Sequence, residues 1–357
     1  MAQPDLVPGQ LPDAPDVQPG RRRRFDLQPA IRWEAGLAIL IVVVVLLGER
    51  ASSQFLSSYD LFSLSLTSGE VAIMALPMTL IIISGEIDLS VASTMGMASA
   101  LLGFLWSQGW PMPAIFAVIL IVGVAAGLFN GLLITRLGLP SLAVTIGTLT
   151  LYRGIATIIL GPNTVADFPA TYTNIGVNPV LHTGLSFSAL CFIVLAVIVG
   201  VVLHATPVGR SIYAMGNSVD AARFAGIRVK RIKTLLFVVS GVICSLAGVL
   251  LTFRLNTAVQ DNGLGLELQV VAIVLLGGVS IFGGKGTLIG VVLAVLAFAG
   301  IQYALLLTNF NQEAFGLVVG ALLLSSVFVP NAGANAARLL AVARRFSRSR
   351  AIRGWSA

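Results

Sequence analysis

The chain is a series of long apolar runs separated by short polar segments. A membrane-spanning helix needs about 20 mostly apolar residues, and ten runs approach or reach that length. They lie near residues 33–48, 67–84, 88–106, 113–134, 140–160, 186–204, 234–254, 267–282, 287–307 and 314–330. The pattern therefore predicts an all-α, polytopic membrane protein of about ten transmembrane helices.

Composition excludes a soluble domain. Of the 357 residues, 57% are hydrophobic and 10% are charged, whereas soluble domains carry about 25% charged residues. The net charge of +7 would suggest nucleic acid in a soluble protein, but here it follows membrane topology, so we expect lipid and no nucleic acid. Cys191 and Cys244 fall inside apolar runs, where cysteine usually acts as a small buried hydrophobe.

The distribution of basic residues predicts the orientation of the chain. With the N-terminus inside, 19 of the 22 Lys and Arg residues lie on the inner side, as the positive-inside rule requires. The predicted external loop 161–185 has none, and only Arg50, Arg153 and Arg254 remain. We expect residues 1–32 and 331–357 to form disordered, basic cytoplasmic tails around a transmembrane domain at 33–330.

The longest polar interruption is the loop 205–233, which carries six of the 19 basic residues assigned to the inner side. Within it, the sequence predicts a short helix over residues 217–226. Asn217 or Ser218 can cap its start, Asp220 favours its positive N-terminal end, and Gly226 ends it. Such a helix would be offered to a partner in the water phase, and the alternative is a solvated basic connector.

Three charged residues lie at or near membrane depth. Glu86 and Asp88 separate two apolar runs, where they either form a capped cytoplasmic turn or belong to a transport path or gate. Arg153 lies within the fifth predicted span. We favour a structural interpretation, in which its side chain either reaches an interface or pairs with a carboxylate. The alternative is that it faces a translocation path.

The glycine cluster at residues 277–290 does not match a phosphate-binding loop. A Walker A motif needs Gly where this chain has Val279, and Ser or Thr where it has Gly286. We therefore expect a tight turn with Lys285 at the cytoplasmic surface. Glycines four residues apart allow close helix approach, and they serve either internal packing, which we favour, or a subunit interface. The two such pairs are Gly123 with Gly127 and Gly316 with Gly320.

The chain resembles the permease subunits of bacterial ATP-binding-cassette (ABC) importers for ribose, xylose, rhamnose and autoinducer 2. The resemblance covers about residues 35–330. It rests on the segments Ser84-Gly-Glu-Ile-Asp-Leu-Ser90, Pro140 to Thr150 followed by Arg153-Gly154, Gly209-Arg210 followed by Ala214 to Ile227, and Gly277 to Gly290. The family's usual Gly-Gly-Ile-Asp is here Gly85-Glu86-Ile87-Asp88, and its common Gly-Gly-Asn is Met215-Gly216-Asn217, so the transported solute stays open.

The resemblance implies a non-enzymatic, multi-pass inner-membrane subunit with both termini in the cytoplasm. Its partners would be cytoplasmic ATPase subunits, a second permease subunit and an extracytoplasmic sugar-binding protein. ATP and Mg²⁺ would be bound by the ATPases, with no cofactor in this chain. The alternatives are an amino-acid or nucleoside permease of the same superfamily, or a secondary transporter, for which we find no convincing internal repeat.

The resemblance also implies roles for the candidate site residues. The ATPase-coupling residues would be Gly209, Asn217, Ala221, Ala222 and Gly226, with the two alanines as the expected contact points. The candidate path or gate residues are Glu86, Asp88 and Arg153. Arg50 and Arg254, with the loop 161–185, would dock the binding protein.

Overall fold

The computed structural model describes residues 28–51, 55, 57–180, 184–308, 315–326 and 328. The predicted tails, apart from the start of the first helix, lie outside these residues. The helices are α1 Gln28–Ala51, α2 Ser58–Ile83, α3 Val91–Ser107, α4 Met112–Thr135, α5 Ser141–Leu160, α6 Ala170–Val177, α7 Phe187–Ala205, α8 Pro207–Asn217, α9 Val219–Phe224, α10 Val229–Leu255, α11 Leu266–Leu276, α12 Leu288–Leu307 and α13 Phe315–Ser326. The predicted all-α membrane architecture is confirmed.

Six helices have the length and apolarity needed to cross a membrane: α2, α4, α5, α7, α10 and α12. The apolar helices α3, α11 and α13 are shorter. The span predicted at 267–282 is wrong in extent, because α11 ends at Leu276 and a glycine-rich loop follows. The predicted start of the second span is also wrong, since α2 begins at Ser58.

The shortest apolar helices lie inside the bundle. Nearly all of α3 is buried, and α11 is buried from Val270 to Leu276. α3 packs against α10 and α5, and α11 packs against α2, which is itself buried along most of its length. A helix too short to span a bilayer, and the irregular backbone beside it, are tolerated at membrane depth where protein surrounds them.

The closest helix packing joins α4 to α10. A Cβ on Gly123 would overlap Ser245, and a Cβ on Gly127 would overlap the backbone of Phe237. The Gly123 and Gly127 pair therefore serves internal packing, as predicted. That prediction fails for Gly316 and Gly320, since a Cβ on either would meet nothing within 4 Å among the described residues.

The first helix packs along α12. Trp33 donates its indole N–H to the carbonyl of Leu276 over 2.8 Å, and Glu34 accepts from the hydroxyl of Thr287 over 2.7 Å. Val44 lies against Gly300 further along the same pair. Glu34 and Val44 thus meet Thr287, at the start of α12, and Gly300, further along it, in the same order, so α1 and α12 are parallel.

The bundle has two distinct ends. One end, called here the α8–α9 end, carries α8, α9, the α2–α3 turn, the α4–α5 turn and the loop 277–287. The other, the α6 end, carries α6 and an antiparallel bridge between Val165 and Ala258. The candidate residues divide between these two ends.

Candidate functional site

Three backbone segments meet at the α8–α9 end. Gly284 donates its N–H to the carbonyl of Ile83 over 2.8 Å, and a Cβ on Gly216 would overlap both of those residues. A Cβ on Gly283 would lie 2.8 Å from the Cα of Gly85. We call Gly85, Gly216, Gly283 and Gly284 the glycine junction. It joins the end of α8 to the end of α2 and to the loop 277–287.

Two side chains reinforce the glycine junction. Asn217 donates from its amide to the carbonyl of Gly284 over 3.3 Å and to that of Tyr213 over 2.8 Å. The Tyr213 hydroxyl donates to the carbonyl of Gly286 over 2.7 Å, and burial raises the pKa of this phenol. Asn217 therefore connects α8 to the glycine loop and does not cap the next helix.

The short helix predicted in the long loop is α9. The hydroxyl of Ser218 accepts from the N–H of Ala221 over 3.3 Å, and Asp220 lies in the first turn. After the helix, Gly226 has a φ of +81° and donates to the carbonyl of Arg223 over 2.9 Å. The predicted cap and stop are confirmed, with Ser218 as the capping residue.

The exposed face of α9 differs from the predicted one. Ala221 is exposed, but Ala222 is only 2% exposed and packs into the core, so it cannot be an external contact as predicted. Phe224 is 93% exposed, and Phe282 in the loop 277–287 is 80% exposed. These two aromatic side chains were not predicted, although a Phe in a polar loop is itself a signal for a contact surface.

The long loop also contains a helix that was not predicted as a separate element, α8, which comes directly before α9. Its start combines Thr206, whose hydroxyl accepts from the N–H of Gly209, with Pro207 at the first helical position, as expected from capping rules. Gly209 is buried, and a Cβ there would overlap the carbonyl of Leu203. Gly209 therefore sets the angle between α7 and α8 and does not face a partner.

Glu86 is held in an ion pair with Lys233, at the first turns of α10. Both side chains are largely buried, with 15% and 10% of their surface exposed. This pair joins the α2–α3 turn to α10 next to the glycine junction. In this conformation Glu86 fastens one element to another, and the geometry favours the structural alternative over an open path.

Asp88 is buried at the centre of a polar network. Its carboxylate accepts from the N–H and hydroxyl of Ser90, over 3.0 and 2.6 Å, and from the hydroxyl of Ser240 over 2.9 Å. Asn130 donates to the Ser90 hydroxyl over 2.8 Å, and Tyr152 lies 3.4 Å from Asn130. The predicted contact with the start of α3 is confirmed, but Asp88 is buried in a network that joins the α2–α3 turn, α4, α5 and α10, and does not lie at a surface turn.

Arg153 makes no ion pair with a carboxylate among the described residues, so the carboxylate part of the favoured interpretation is wrong. Its Nη1 donates to the carbonyl of Asn262 over 2.8 Å and to that of Gln260 over 3.4 Å. The space for the guanidinium comes from Gly96, where a Cβ would lie 2.5 Å from Nη1. Arg153 thus fastens α5 to the loop 256–265, through partners more than 100 residues away in sequence.

Arg254 is engaged within the bundle and does not lie free on a surface. Its Nε donates to the carboxylate of Glu70 over 3.1 Å, and Ser188 donates to the same oxygen over 3.2 Å. Glu70 is buried. Arg254 is thus committed to an internal ion pair and its docking role stays a prediction, whereas Arg50 is exposed.

No group of three or more His, Cys, Asp or Glu side chains that could hold a metal ion occurs within the described ranges. The chemistry of the α8–α9 end is therefore that of backbone packing, one buried ion pair and exposed aromatic and basic side chains. Such a surface suits the docking of another protein.

Comparison with known proteins places these features in context. Residues 61–327 match the family described as "Branched-chain amino acid transport system / permease component". The Autoinducer 2 import system permease protein LsrC of Salmonella choleraesuis is 32% identical over 290 residues, which is 80% of this chain and 83% of the relative. LsrD of Photorhabdus luminescens is 33% identical over 304 residues, covering 83% and 90%. No solved structure matches the chain.

Proposed function

Because this chain belongs to the family of permease components of branched-chain amino acid transport systems, we propose that it is the membrane subunit of an ATP-driven importer for a small sugar-like solute. The observation that carries the choice of solute is the similarity to two autoinducer 2 import permeases over at least 80% of the chain. The family description itself favours a second candidate, an amino acid.

Coupling to ATP hydrolysis is assigned to α9 and the loop 277–287. The exposed side chains of Phe224 and Phe282 suit apolar pockets on ATPase subunits, where buried aromatic residues contribute much of the binding energy. ATP and Mg²⁺ would be bound by those subunits. The glycine junction would pass their movement to α2, because close-packed backbone leaves little room for independent motion.

The α8–α9 end faces the cytoplasm in this proposal, and both termini lie on that side. The support is the charge distribution, since α8, α9 and the first turns of α10 carry a concentration of Lys and Arg, which the positive-inside rule places in the cytoplasm. The membrane is then the bacterial inner membrane, as expected for an importer of this family.

A second permease subunit would pack beside α5. Exposed small and hydroxyl-bearing residues form a stripe on one face of this helix, with large apolar residues on either side of it. Small residues allow close approach of a neighbouring helix, and threonine hydroxyls suit a polar solute. The stripe consists of Ala143, Gly147, Thr150, Gly154 and Thr157. We assign it to the path between two copies.

An extracytoplasmic binding protein would dock at the α6 end, where the loop 161–185 and α6 lie. Arg50 is the exposed basic side chain available for this contact. Charges at the rim of an interface mainly set the association rate and orientation. Arg50 would therefore orient the binding protein, while specificity for the solute would lie mostly in that protein.

Uptake of labelled solutes tests the choice between the two candidates. A strain lacking the gene is complemented with the chain, and autoinducer 2, pentoses, rhamnose and branched-chain amino acids are supplied separately. We expect uptake of a sugar-like solute that stops when ATP is depleted. Uptake of amino acids alone would replace the first candidate by the second, and uptake driven by an ion gradient without ATP would contradict both.

A further inference from the structure

A basic cavity lies beside the ion pair of Glu86 and Lys233. Its volume is about 380 Å³, and it is a half-open recess lined by the α4–α5 turn, α9 and the first turns of α10. Four basic side chains line it, against the single carboxylate of Glu86: Arg136, Arg223, Lys230 and Lys233. A neighbouring cavity of about 300 Å³ shares Arg223 and Lys230 and adds Arg228 and Arg231.

The charges around this cavity are not balanced within the chain. Lys233 pairs with Glu86, and Arg223 lies 3.4 Å from Asp220. Arg136 and Lys230 make no ion pair with any described residue. Membrane topology accounts for positive charge at this end, but it does not require separate segments to place that charge around one concave surface, where the field is concentrated.

Two exposed leucines also line the cavity. Leu137 is 67% exposed and Leu139 is 44% exposed, in the turn that follows Arg136. A basic recess bordered by exposed leucines at the end of a membrane helix matches the arrangement of a phospholipid, whose phosphate lies next to its acyl chains.

We propose that this cavity binds a phosphate-bearing anion, with the headgroup of an anionic phospholipid as its source and Arg136 and Lys230 as the principal contacts. A soluble phosphate ester has the same recognition chemistry and is the other source. The bound phosphate would connect the α4–α5 turn to α10 beside α9, and would stabilise the position of α9 on the bundle. The proposal does not depend on the imported solute.

Lipid binding to the full-length purified chain tests the proposal, measured by native mass spectrometry with phosphatidylglycerol added to detergent. The variant Arg136→Gln/Lys230→Gln removes the two unpaired charges, and both side chains are exposed, so folding should be kept. We expect its affinity for phosphatidylglycerol to fall roughly 30-fold, from the membrane-surface contribution of two basic side chains. The matched control Arg210→Gln/Lys285→Gln removes the same charge at the same end, outside the cavity, and should bind as the wild type does.

Calorimetry with inorganic phosphate and glycerol 1-phosphate distinguishes the two sources. Loss of phosphatidylglycerol binding in the cavity variant alone supports the headgroup. Binding of the soluble phosphates that only the cavity variant loses supports the same site with a soluble ligand. Equal behaviour of the cavity variant and the control towards all three probes would overturn the proposal, and the single variant Arg136→Gln repeats the test with less disturbance.

Discussion

Gly216 lies directly against the carbonyl of Ile83, so closely that any side chain at this position would overlap it. The same glycine also contacts the amide of Gly284. Three separate parts of the chain therefore touch through main-chain atoms at the C-terminal end of α8. These contacts join the end of α8 to the end of α2, which is the most buried of the long helices.

Replacing Gly216 by Ala should damage both stability and transport. The added methyl group must displace backbone on two sides, and overpacking of this kind costs about 1–3 kcal/mol. We expect a lower melting temperature and loss of most solute uptake in reconstituted vesicles. Gly36→Ala is the control, since a Cβ there meets nothing within 4 Å among the described residues. A Gly216→Ala variant with wild-type uptake would remove the glycine junction from the coupling argument.

Phe224→Ala should weaken ATPase binding without unfolding the permease. The side chain is almost fully exposed, so its removal leaves the core intact, whereas truncation of an aromatic anchor at an interface costs about 2 kcal/mol or more. We expect an unchanged melting temperature and loss of co-purifying ATPase. Leu264→Ala, an exposed apolar residue in the loop at the α6 end, should leave ATPase retention unchanged. Equal retention in both variants would contradict the assignment.

Breaking the pair of Glu86 and Lys233 should destabilise the protein more than removing both charges. In Glu86→Gln the ammonium of Lys233 is left largely buried without its partner, at a cost of up to about 3 kcal/mol. We expect the double variant Glu86→Gln/Lys233→Met to recover part of the lost melting temperature. If the losses of stability in Glu86→Gln and in Lys233→Met sum to the loss in the double variant, the pair contributes no interaction energy.

Arg254 and Arg50 should respond differently to substitution. Arg254→Gln leaves the buried carboxylate of Glu70 without its cationic partner. We expect the free energy of unfolding to fall by about 3 kcal/mol, with a lower melting temperature and poor assembly. Arg50→Gln should keep the melting temperature and lower only the stimulation of ATP hydrolysis by the binding protein. If Arg254→Gln is stable and only loses that stimulation, Arg254 acts in docking and its ion pair with Glu70 does not stabilise the fold.

Cysteine labelling checks the orientation. Ser218→Cys and Asn174→Cys lie at opposite ends of the bundle, and both positions are exposed. In a Cys191→Ser background, with Cys244 buried, a membrane-impermeant reagent added to intact cells should label position 174 and not position 218. Labelling of both positions from outside would contradict the proposed topology.

The sequence predicted features that depend on neighbours along the chain. The cap at Ser218 and the stop at Gly226 use residues within one helical turn, and they were predicted correctly. Ala222 was misjudged because the buried side of α9 depends on packing against distant segments. Likewise, Arg153 binds carbonyls more than 100 residues away, and the partner of Glu86 is 147 residues distant, which no local pattern reveals.

The main-chain character of the glycine junction bears on how such importers diversify. Its contacts require small residues on the inner side of α8 and in the loop 277–287, but they place no demand on the side chains that α9 presents outward. The outer surface of α9 can therefore be exchanged for that of another importer while the backbone contacts of the glycine junction stay the same. Grafting only the exposed positions of α9, which are Asp220, Ala221, Arg223 and Phe224, from a second permease is then a route to pairing this subunit with a different ATPase.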